Sequence, residues 1–96
     1  MWKQLNTIGT IGSEDGIIVK DEQYREQCRI TLEKCEKYYA ITCGIYGAFV
    51  HTAFCDEEKS EIKYETMKQE LQDFMDENKT EDEEDEFYNY FINKYL

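Results

Sequence analysis

Chemistry in this chain would have to come from one histidine, four cysteines and a crowd of carboxylates. His51 is the sole imidazole, so any imidazole-based proton transfer falls to it. Cys55 lies four residues further on, and along a strand that is about 13 Å, beyond hydrogen-bond reach. With Gly44–Gly47 as a hairpin loop, Cys43 falls on the face opposite His51. No Cys–His nucleophile is expected, and His51 reads as a packed or partly exposed sheet residue. Cys28, Cys35, Cys43 and Cys55 are separated by seven, eight and twelve residues, with no C-x-x-C pair to begin a zinc site. They read as reduced, semi-buried core thiols. The carboxylates between Asp76 and Phe87 do not make a calcium loop. Glu81 stands where the sharp turn needs glycine, and Phe87 stands where the bidentate glutamate belongs. There is no phosphate-cradling glycine loop, no H-E-x-x-H and no G-x-S-x-G. No enzyme, cofactor or metal is expected.

What the carboxylates do carry is a lopsided field. Residues 1–55 have a net charge of −1 and residues 56–96 a net charge of −10. Eight of the eleven residues from Asp76 to Glu86 are acidic. Such a surface repels nucleic acid and anionic membrane and attracts basic surfaces. The candidate partner-binding residues are Asp76, Glu77, Glu81, Asp82, Glu83, Glu84, Asp85 and Glu86, joined by Tyr38, Tyr46, Phe49 and His51 as adhesive or packed side chains near the central hairpin. Tyrosine brings large contact area at low entropic cost.

Ninety-six residues with 41% hydrophobic and 15% aromatic content make one folded domain, 1–96, too apolar for a disordered chain. The start, Met1-Trp2-Lys3-Gln4-Leu5-Asn6, has no charged lead followed by an apolar core, so a cytoplasmic protein is expected. Tyr38–Cys55 lacks charged side chains other than His51, but its Thr, aromatic and β-branched content favours strands over a membrane helix.

The period along the chain sets the elements. Trp2, Leu5 and Ile8 are spaced by three, which suits one or two helical turns. Ile17-Ile18-Val19 begins a strand, and Lys20–Gln27 reads as a polar bridge. Cys28, Ile30 and Leu32 alternate with Arg29, Thr31 and Glu33, giving a strand with one solvated face. Tyr38–Cys43 and Ala48–Cys55 complete an antiparallel meander. In that register Tyr39, Ile41, Cys43, Val50, Thr52 and Phe54 share one face. Tyr38, Ala40, Thr42, Phe49, His51 and Ala53 share the other. Both faces are apolar enough to need cover, from the chain's own helices, from a partner or from a second copy. After Asp56 the period becomes helical through Tyr64, Met67, Leu71 and Phe74, with Asp56 or Ser60 as the cap. Thr80-Glu81-Asp82-Glu83 is a capping box, and Phe87, Tyr88, Phe91, Ile92 and Tyr95 stripe a second helix. The expected fold is α+β: a four-stranded, mainly antiparallel meander followed by two amphipathic helices packed on one face.

The block Arg29-Ile30-Thr31-Leu32-Glu33-Lys34, followed by Tyr39-Ala40-Ile41-Thr42-Cys43-Gly44-Ile45-Tyr46-Gly47, resembles small uncharacterised bacterial proteins. These are similar in style to the immunity proteins of polymorphic toxin and contact-dependent inhibition systems. The likeness spans roughly residues 14–75 and brings no active-site motif. It implies a cytoplasmic, single-domain protein that binds and neutralises one cognate toxin, and a basic toxin such as a nuclease suits the charge. The expectation from another class is a homodimeric regulatory or adaptor domain built on the second sheet face.

Overall fold

The computed structural model describes all 96 residues, Met1–Leu96. Five strands run β1 (Trp2–Gln4), β2 (Ile17–Tyr24), β3 (Cys28–Lys34), β4 (Tyr39–Ile45) and β5 (Phe49–Cys55), followed by helices α1 (Glu57–Asp76) and α2 (Glu81–Lys94). The sheet order is β1-β2-β3-β4-β5, and each neighbouring pair is antiparallel. The fold is thus α+β, an antiparallel meander with two helices on one face. No helix is long and apolar enough to cross a membrane.

Alternation in β3 decides the layers. Cys28, Ile30 and Leu32 point to the helices, where they meet Ile41, Cys43 and Ala53 of the next strands and Tyr64, Met67 and Leu71 of α1 in one buried cluster. Asp56 caps α1 by accepting from the Lys59 N–H at 3.0 Å, and Glu57 and Glu58 sit at the positive end of its dipole.

Three expectations are corrected by the fold. The first concerns strand number, which is five. Trp2–Gln4 is a strand rather than a helical start, because Trp2 finds a better site beside Tyr24 than any three-residue period offers. Its ring lies 5.1 Å from that of Tyr24, and its indole N–H donates to Gln72 Oε1 at 2.9 Å.

The second concerns Lys20–Gln27, read as a polar bridge. β2 continues through its charged residues as far as Tyr24 because each finds a partner across the sheet or on a helix. Glu22 accepts from the Tyr64 hydroxyl at 2.8 Å and pairs with Lys68 at 2.8 Å. Asp21 points to the other face and is fully buried. Its carboxylate accepts from Arg29 Nε (2.9 Å) and Nη2 (2.6 Å), Thr31 Oγ1 (2.9 Å) and Thr7 Oγ1 (2.5 Å). The Arg29–Thr31–Glu33 face of β3 is therefore solvated only at Arg29, whose side chain stays partly exposed. Thr31 and Glu33 are buried beneath the segment from Leu5 to Gly16, which crosses that side of the sheet.

The third concerns the β4–β5 register. The loop is Tyr46-Gly47-Ala48, with Gly47 at φ +77° and the Ala48 N–H bonded to Ile45 O at 2.9 Å. Gly44 is not in the loop. It stands in β4, opposite Arg29 and Val50, where a Cβ would come 2.3 Å from Phe49 O. Cys43 thus opposes His51, and Ile41 opposes Ala53. An odd slip in register turns a strand over, so Phe49, His51 and Ala53 join Ile41 and Cys43 on the helix side. Val50, Thr52 and Phe54 take the other side.

Burial raises the Asp21 carboxyl, but its bonds from Arg29, Thr7 and Thr31 outweigh that and hold it below the usual carboxylate range. A folded-state value below the unfolded one adds stability that is complete above about pH 5 and is lost as the pH falls through the folded value. Arg29→Met, which strands the buried carboxylate, is expected to cost about 3 kcal/mol in urea denaturation at neutral pH. The deficit should shrink on acidification, because burial without Arg29 raises the stranded carboxyl and it takes up its proton at a higher pH than the wild-type group does.

Candidate protein-interaction surface

The acidic stretch is held in place by aromatic side chains. α1 ends as the Glu77 N–H turns back to Phe74 O at 3.3 Å, and α2 starts at a complete capping box. Thr80 Oγ1 accepts from the Glu83 N–H at 3.3 Å, and Glu83 Oε1 accepts from the Thr80 N–H at 3.0 Å. These bonds to Thr80 draw the Glu83 carboxyl below its ordinary range. Phe87 stacks on Phe74 at 4.2 Å, and Tyr88 stacks on Phe49 at 4.5 Å. Phe91 is fully buried, edge-on to Phe49 at 5.9 Å. One aromatic seam thus fixes α2 to the end of α1 and the start of β5, turning the carboxylates of its first turns outward.

The eight carboxylates divide into two sets. Asp76 accepts from the Tyr24 hydroxyl at 2.6 Å and from Arg25 Nη2 at 2.7 Å. Glu77 pairs with Lys79 at 2.6 Å, and Glu83 belongs to the cap. Glu81, Asp82, Glu84, Asp85 and Glu86 have side chains with neither a cation nor a hydrogen bond, and all but the half-buried Glu84 are exposed. Their field reaches Tyr88, whose phenol is raised first by burial and then by Glu84 and Asp85.

The candidate aromatic residues separate in space. Phe49 belongs to the acidic end through its stack on Tyr88. Tyr46 lies at the same end: its backbone N–H donates to Gln27 O at 2.9 Å, beside the β2–β3 turn whose Arg25 holds Asp76, and its ring is exposed. Tyr38 sits at the opposite end of the strands, edge-on to Phe54 at 5.4 Å. His51 faces the helices, with Nε2 against Tyr95 O and its ring 6.3 Å from Phe91. It packs against α2. Tyr24 and Arg25 were not expected there. They reach Asp76 from some fifty positions away in the chain, and no local signal in the sequence marks them.

Although Cys43 opposes His51 on the same face, contrary to the expected register, the pair lacks a nucleophile's setting. Burial, reinforced by neighbouring Cys28, pushes the Cys43 thiol far above its ordinary value, and Cys28 is pushed up to about 12 by burial. A reactive cysteine needs an electropositive, partly exposed site that stabilises thiolate. All four cysteines are free thiols.

Two substitutions separate the seam from the cap. Phe91→Ala is expected to cost about 3–5 kcal/mol, the range for emptying a buried aromatic site. Thr80→Ala should cost about 1 kcal/mol. Urea denaturation followed by circular dichroism measures both, and equal costs would contradict the seam's role.

Comparison of the chain with family models, with curated proteins and with solved structures returned no match in any of the three. The functional reading therefore rests on the geometry of the chain's own residues.

Proposed function

We propose that this protein is a stoichiometric binding protein that neutralises a basic protein partner through its acidic end. One observation carries the reading: five carboxylates on the opening turns of α2 stand together with no cation of the chain's own. Repulsion among them is relieved only in part by the helix dipole, and a basic surface would relieve the rest. Charge of this kind speeds encounter, while aromatic contact slows release. Tyr46 supplies an exposed ring at that end. The partner class that fits is a nucleic-acid-acting toxin, whose phosphate-binding groove is basic. The carboxylates would occupy that groove in place of phosphates, and the protein would act as a cytoplasmic immunity factor without catalytic activity, cofactor, nucleic-acid or membrane binding.

A second reading, a homodimeric regulatory or adaptor domain, is favoured by the helix-free sheet face, where Val50, Phe54 and Tyr38 are exposed. Sedimentation at tens of micromolar distinguishes the two: the inhibitor reading expects a monomer, and the dimer reading expects twice its mass.

Affinity capture from the source cell's lysate, with the wild type and with an E81Q/D82N/E84Q/D85N variant, tests the proposal. The wild type should retain one basic protein at equal stoichiometry, released by salt. The variant should associate with that protein about tenfold or more slowly, with a flatter salt dependence. Equal association rates for both proteins would contradict it.

A further inference from the structure

The sheet face away from the helices holds a concavity of about 740 Å³ between the Leu5–Gly16 segment and the β4–β5 hairpin. That volume lies in the range of small-molecule sites, about 300–1,000 Å³. Arg29, Thr31, Glu33 and Thr42 are among its polar lining residues, and Ile11 and Val50 are exposed apolar side chains beside them. Arg29 and Thr31 are already committed to Asp21. Glu33 is not committed to any cation.

Glu33 is fully buried, and its Oε1 accepts from the N–H groups of Glu14 (3.1 Å) and Gly16 (3.2 Å). Its Oε2 is buried with no partner at all. Gly12 lies directly over the carboxylate, where a Cβ would fall 2.3 Å from Glu33 Cδ. A buried carboxylate is costly unless a cation or a full set of donors meets it. Here one oxygen is served by backbone and the other is left open. The segment over the carboxylate is held at Ile11 by an isolated bridge to Ile17, and at Gly12 by its N–H on Gly16 O at 2.9 Å and by its carbonyl, which accepts from the Asp15 N–H at 3.1 Å.

We infer that this concavity binds a small organic cation, a primary amine or guanidinium joined to an apolar body. The head group displaces the Gly12 cover to donate to Glu33 Oε2, and the body rests between Ile11 and Val50. The chain's net charge of −11 raises the local concentration of such cations. Tyr46 and Phe49 border both this concavity and the acidic end, but none of the carboxylates from Asp76 to Glu86 lines it, so the inference does not depend on the function proposed above.

Titration of the full chain with phenethylamine, against phenylethanol as its neutral counterpart, tests this by calorimetry and amide chemical shifts. Phenethylamine should bind saturably at millimolar concentration or below, moving the amides of Gly12, Glu33 and Thr42. Phenylethanol should bind about tenfold more weakly or worse. Glu33→Gln keeps an oxygen for the Glu14 and Gly16 N–H groups, so its melting curve should match or exceed that of the wild type while amine binding is lost. Thr42→Phe, which fills the concavity with Glu33 intact, should also abolish binding. Equal affinity for the alcohol, undiminished binding by Glu33→Gln, shifts confined to Glu81–Glu86, or no binding of the amine would each overturn the inference.

Discussion

The aromatic seam joining α2 to the rest of the molecule is the constraint on which the proposed surface depends. Without Phe74–Phe87 and Phe49–Tyr88 stacking, a helix opening on Glu81-Asp82-Glu83-Glu84-Asp85-Glu86 would have little reason to stay folded. Its charges repel one another, and a helix of fourteen residues is marginal in isolation. Buried aromatic area offsets that repulsion, and the capping box sets where the helix begins. Charge is concentrated at one end because packing holds it there.

The two faces of the sheet are covered by different means. On the helix side, aliphatic and aromatic side chains exclude water in the ordinary way, with Tyr64, Phe91 and Leu71 fully buried. On the other side no helix is present. A loop crosses the sheet and buries two carboxylates, Asp21 and Glu33, by satisfying them in different ways. Asp21 receives bonds to both oxygens, two of them from a guanidinium, and so locks β2, β3 and the Thr7 turn together. Glu33 receives backbone donors on one oxygen only. The first arrangement is a closed structural unit; the second leaves an acceptor for something else. The apolar remainder of that face, around Val50 and Phe54, is what a second copy of the chain would have to cover.

The helices were legible in the sequence because their signals are local. Asp56 and the Thr80/Glu83 box mark starts, and the three- and four-residue spacing of Tyr64, Met67, Leu71 and Phe74 marks a buried stripe. β3 was equally legible from its alternation. What failed depends on distant residues. Lys20, Asp21 and Glu22 look like a loop until Arg29, Tyr64 and Lys68 are placed opposite them. The two glycines at 44 and 47 look like the ends of a hairpin loop. Gly44 belongs to the strand, paired with Arg29 and Val50 and too close to Phe49 O for a Cβ, and the odd shift reverses which residues of β5 are buried. The candidate surface is unevenly legible for the same reason. Its carboxylates are contiguous and visible as a run, whereas the placement of Tyr46 and Phe49 beside them, of Tyr38 at the far end of the strands and of His51 on the helix face depends on how the strands and helices pack.

Function through the acidic end requires that end to be a preformed surface in the free protein. Amide hydrogen exchange of the isolated chain tests it most directly. Amides from Tyr88 through Lys94, beyond the first turn of α2, should exchange with protection comparable to those of Tyr64–Phe74 in α1. Unprotected exchange throughout 81–94, with α1 and the sheet still protected, would contradict it and show the seam to be too weak to hold the helix.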